Sequence, residues 1–119
     1  MMYTSYYSSP KLKTTELTKI SISRFIPKWY KDDLSHLVLL APSKELLNGY
    51  KNGSIDNDEY TEIYLCQLDN LKCLKELLEQ LDTCGCVLLC YEKPGDFCHR
   101  HILSEYAREK FNIIIEELL

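Results

Sequence analysis

Gly85-Cys86-Val87-Leu88-Leu89-Cys90-Tyr91-Glu92-Lys93-Pro94-Gly95-Asp96-Phe97-Cys98-His99-Arg100-His101 is the stretch on which the reading of the fold turns. Residues 86–91 are almost wholly apolar, as in a strand covered on both faces, and such strands belong to the parallel sheets of α/β proteins. Glu92 to Asp96 reads as a loop, and a helix is predicted from about Phe97 to Lys110. Working back from Gly85, apolar residues recur at helical spacing from Tyr60, Ile63, Tyr64 and Leu68 to Leu78 and Leu81, with a break near Asp69-Asn70. Asp56 with Glu59 forms a capping-box start for this region. Ser43 caps a further predicted helix that runs to about Asn52 and ends at Gly53.

Short β-prone runs predict strands over 2–7 and 18–23, a buried strand over 37–40 stopped by Pro42, and a last strand over 111–116, with a helical ending as its alternative. Strands separated by helical crossovers predict one small Rossmann-like α/β domain over residues 1–119, with a parallel or mixed sheet and helices on its faces. A chain of 119 residues has room for a single core. Its net charge of −4 argues against a dedicated nucleic-acid binder and leaves room for a local basic pocket that holds a phosphate. No apolar run approaches the ~20 residues of a membrane helix. The N-terminus, Met1-Met2-Tyr3-Thr4-Ser5-Tyr6-Tyr7, lacks the charged and apolar regions of a signal peptide, so a cytoplasmic protein with no membrane partner is expected.

The six cysteines are therefore expected as reduced thiols. Cys66 and Cys73 lie seven apart on one helix face, and Cys84, Cys86 and Cys90 share parity along a strand, the pattern of small buried side chains. The spacings Cys-x-Cys, Cys-x3-Cys and Cys-x7-Cys-His-x-His depart from paired Cys-x2-Cys knuckles, so neither metal nor cofactor is read from them.

Ligands of open α/β sheets sit beyond the carboxyl ends of strands, which selects Ser23-Arg24 and the run from Cys90 to Arg100. At ~100° per residue, His99 points into the apolar face of its helix, Cys98 and Arg100 flank that face, and His101 looks to water. The first helical turn favours an anion and a cysteine thiolate. Cys98, His99 and Glu92 are the catalytic candidates, with Cys98 or His99 as the reacting group. Arg24 and Arg100 are read as clamps on one phosphate, Tyr60 and Tyr64 as hydroxyls within reach of a ligand, and Trp29 as a lid. Each has a plainer alternative: a core histidine, a small buried cysteine, an aromatic helix pair, a loop anchor for Trp29, a solvated loop carboxylate for Glu92, and Asp96 capping the helix with the N–H groups an anion would take. His36 receives no role.

The run Leu88 to His101, with its Cys-x7-Cys-His-Arg spacing, resembles the signature of the bacterial and phage domain-of-unknown-function family 488. Ile20-Ser21-Ile22-Ser23-Arg24 with Pro27 and Trp29, Leu40-Ala41-Pro42, and Glu59-Tyr60 with Tyr64 resemble further blocks of its compact members. The resemblance implies a Rossmann-like fold and a site around Arg24, Cys90, Glu92, Cys98, His99 and Arg100, and no established reaction. Ile-Ser-Arg stands where many members have Asp-Val-Arg, which removes a carboxylate beside Arg24. Neither a Cys-x5-Arg phosphatase loop nor a Gly-x-Gly-x-x-Gly dinucleotide loop is present. The leading expectation is a domain that binds or processes a phosphorylated, nucleotide-like or nucleic-acid-derived ligand at the strand-end crevice. The rival is a non-catalytic interaction module whose Cys-His-Arg segment only packs the helix on the sheet.

Overall fold

The apolar run becomes strand β4, Cys86–Cys90, buried at every position because strands pair along both its edges and both faces of the sheet are covered. The computed structural model describes residues 1–118. β1, Met2–Tyr6, pairs with one edge of β4 (Thr4 opposite Leu88) and β2, Thr18–Ser21, with the other (Ile20 opposite Leu88). The two-residue strands β3, Ser35–His36, and β5, Glu116–Glu117, complete the order β3-β2-β4-β1-β5, parallel throughout.

Parallel neighbours need crossover connections, and three helices, α1 (Lys44–Lys51), α2 (Asn57–Asp69) and α3 (Leu74–Cys84), lie between β3 and β4, with α4 (His99–Phe111) after β4. Strand residues alternate in direction. Cys86 and Leu88 therefore join Leu46, Tyr64, Leu78 and Leu103 on the face that all four α-helices cover. Val87 and Leu89 meet Tyr7 and Leu12 on the opposite face, which a 3-10 turn at Pro10–Lys13 and the loop carrying Tyr30 and Leu34 cover. No helix among the described residues is long and apolar enough to cross a membrane.

The capping signals act as read. Ser43 Oγ accepts from the Leu46 N–H, and Asp56 and Glu59 bond reciprocally at the start of α2. The helical region divides after Asp69, and Cys73 takes a left-handed conformation (φ 62°) at the entry to α3.

Three expectations change. Residues 38–40 form a 3-10 turn, since ladder pairing with β2 stops at His36 and the Leu40 N–H turns back onto the Leu37 carbonyl. At the other end α4 continues to Phe111, and left-handed Asn112 stops it (φ 56°). Ile113 and Ile115 point inward and Ile114 outward, an extended rhythm, but pairing with β1 begins only at Glu116. Among the cysteines, Cys66 and Cys73 are exposed rather than buried, and Cys84 ends α3 exposed instead of sharing a strand with Cys86 and Cys90.

Candidate functional site

β2 and β4 end side by side, and the Ile22 N–H still bonds the Leu89 carbonyl one residue beyond the ladder. The chains leaving these two strands open a cleft of about 270 Å³, as expected at strand carboxyl ends. Its rim carries Arg24, Lys51 and Glu92, its walls Phe25, Tyr50, Tyr60, Tyr91 and Phe97, and its deepest part Cys90, Cys98 and His99. Tyr50, Tyr60 and Phe97 pack as one aromatic cluster with ring centroids 5.1 to 5.5 Å apart.

Cys90 ends β4 and Cys98 precedes α4, so a loop of seven residues, 91–97, returns the chain to its own strand end. Their sulfurs touch, which replaces the picture of six separate thiols, while their Cα atoms stand 7.9 Å apart. Relaxed disulfides span ~4.4–6.8 Å between Cα atoms, a shorter reach than the one the backbone sets here.

His99 is buried. Its Nε2 lies 2.7 Å from the Ile22 carbonyl, an acceptor only, so Nε2 carries the proton and donates. Nδ1 then holds a free lone pair, 3.7 Å from Cys98 Sγ. Burial lowers the His99 pKa to about 4, with the Ile22 bond opposing and the charge of Arg100 adding to the drop, so the ring is neutral. Tyr64 packs edge-on behind this ring at 5.5 Å.

Arg100 sits elsewhere than expected. Its side chain is 0% exposed and spends its N–H groups inside the protein: Nε and Nη2 on the Glu117 carboxylate, Nη1 on the Glu92 carbonyl and on Cys90 Sγ. It is not among the residues that line the cleft, where Arg24 stands, and its positive charge is applied to Cys90. Arg24 remains at the rim, with Nε on the Pro42 carbonyl and no partner for its two terminal amino groups among the described residues.

The remaining candidates divide. Glu92 and Tyr60 line the cleft, and burial together with the Glu92 charge raises the Tyr60 pKa. The Tyr64 hydroxyl is spent on the Leu40 carbonyl, behind the cleft. Trp29, 59% exposed, lies over Tyr7 and Tyr30 beside a separate hollow and is no lid for this cleft. His101 is half-buried against Thr4 and Glu117, its Nε2 without a partner among the described residues, instead of facing water. Asp96 lies in a turn with Lys93, and α4 has Cys98 as its N-cap with no side-chain cap, so Asp96 does not consume the first-turn N–H groups.

The backbone carbonyls of Leu40, Ala41 and Pro42 hold Tyr64, Gln67 and Arg24 in turn. The family model DUF488-N3a, described as the active DUF488-N3 subclade, matches residues 2–110. The chain belongs to the DUF488 family. No curated protein and no solved structure matches it. In this DUF488 chain the charge-partnered cysteine is Cys90, which reading the residues alone had treated as strand packing. The available signal was its position, the last residue of a buried strand.

Proposed function

We propose that this protein is a small enzyme that binds a phosphorylated, nucleotide-like compound in the cleft and acts on it at the Cys90, Cys98 and His99 floor. One observation carries the reading: a single cleft joins aromatic walls, a cationic rim and a floor of sulfur and imidazole. Stacking on an aromatic face is worth ~1–3 kcal/mol per base, and Tyr50, Tyr60 and Phe97 supply that surface. The unengaged amino groups of Arg24, the Lys51 ammonium and the uncapped first turn of α4 suit an anionic group. The description of the family as an active subclade accords with a reacting floor. The rival packing role fits Arg100 best, because its bonds are internal and tie α4 to β4 and β5, and the bond from His99 to the Ile22 carbonyl also ties α4 to the sheet.

Calorimetric titration with nucleoside monophosphates, the matching nucleosides and inorganic phosphate tests the proposal, with any product followed by mass spectrometry. Monophosphates should bind more tightly than either part, and Arg24→Ala should weaken them about tenfold, or about 1.4 kcal/mol. A folded protein that takes up none of these compounds would sink the reading.

A further inference from the structure

The three groups at the cleft floor have a second property, independent of any nucleotide. Cys90 Sγ, Cys98 Sγ and a ring nitrogen of His99 all lie within 4.8 Å of one another, and all three residues are buried. We propose that they form a Cys2His zinc site. Zn–S bonds of ~2.3 Å and Zn–N bonds of ~2.0–2.1 Å make the sulfur–nitrogen edge of a tetrahedron about 3.6 Å, and Cys98 Sγ stands 3.7 Å from His99 Nδ1.

Two further observations point to an ion. The Nε2–H of His99 is held by the Ile22 carbonyl, the outer bond that metal-bound imidazoles use to fix the tautomer and aim the other nitrogen. The 7.9 Å between the Cα atoms of Cys90 and Cys98 exceeds the span of a relaxed disulfide and leaves room for two thiolates to share an ion by rotating about their side chains. Arg100 Nη1 donates to Cys90 Sγ from the far side and favours the thiolate that an ion requires. Two sulfurs and one imidazole select zinc over the oxygen-seeking magnesium and calcium. All three donors line the cleft, so the fourth position opens to whatever occupies it, the arrangement of catalytic rather than structural zinc. The Cys-x2-Cys rule missed the site because it describes donors on one tight turn, whereas these come from a strand end and a helix start.

The test uses the whole chain, kept in reductant, stripped with a chelator and titrated with Co2+ alone and then with Zn2+ alone. One ion per chain is expected, with sulfur-to-cobalt charge-transfer absorption and a rise in Tm on adding zinc. Cys98→Ser and Cys90→Ser, each confirmed folded by circular dichroism, should bind at least tenfold more weakly. A Cys66→Ser/Cys73→Ser/Cys84→Ser triple variant, which removes the exposed thiols, should bind as the parent does. Unchanged affinity in both single variants, loss of binding in the triple variant, a Cys90–Cys98 bond that survives reductant, or no ion taken up by the folded chain would each overturn the proposal. Nucleotide titration of the stripped protein reads the ligand proposal separately, so either can fail alone.

Discussion

Cys86 lies on the central strand, and its burial pushes the thiol up to about 11. Cys66, Cys73 and Cys84 stand exposed. Iodoacetamide at neutral pH should therefore label these three quickly and leave Cys86 untouched until unfolding, as peptide mass mapping would read. Equal rates at all four would contradict the burial assignment. Arg100 is the largest fully buried side chain, and its partner Glu117 is 18% exposed at the side chain. Removing one member of a buried ion pair strands the other at a cost of ~3–5 kcal/mol. Because Glu117 keeps some water, Arg100→Ala should cost about 3 kcal/mol in urea unfolding. Arg100→Lys should recover little, since an ammonium cannot reach Glu117 through two parallel bonds and still serve Cys90 and the Glu92 carbonyl. Sequence periodicity correctly set His99 on an inward face, but the partner of Arg100 was invisible because Glu117 is brought in by β5, seventeen residues on.

At the scale of elements, capping chemistry was legible because it is local. Asp56 and Glu59 are three residues apart and bond within that span. Asp56→Ala should destabilise the fold by about 1 kcal/mol with no change in the cleft, read from the urea midpoint and from ligand titration together. The anchoring of α2 onto residues 40–42 was not legible, since a leucine, an alanine and a proline act there through their carbonyls and not their side chains. Tyr64→Phe leaves the Leu40 carbonyl buried without its donor, a loss of ~1–3 kcal/mol in the same assay. It also leaves the ring packed against His99, so ligand affinity should hold. A loss of binding without a loss of stability would return the Tyr64 hydroxyl to the site.

For the whole molecule, the bond from α4 to the last strand makes stability depend on pH. Burial raises the Glu117 pKa, but bonds from Arg100 and Thr4 outweigh it and leave the carboxyl below its ordinary 4.5. A depressed folded pKa contributes stability that is complete above the unfolded value and disappears as pH falls through the folded one. Tm should therefore hold above about pH 5 and drop below 4.5, with a shallower drop in Glu117→Gln. Parallel acid profiles in the two proteins would show that this pair is not the sensor. The α/β class, the central strand, both helix caps and the inward face of α4 follow from residues near one another in the chain, where a 2.0 or 3.6 periodicity and a capping side chain act over a few positions. Short edge strands depend on ladder partners far away, so β3 and β5 formed elsewhere than the β-prone runs suggested. The site divides the same way. Cys98, His99 and Glu92 stand out in one segment, but the pairing of Cys90 with Cys98, the turn of Arg100 toward Glu117 and the meeting of Arg24 with the aromatic wall arise only when separate strand ends converge. Contacts of that kind depend on the relative position of whole elements, which packing of the entire core decides.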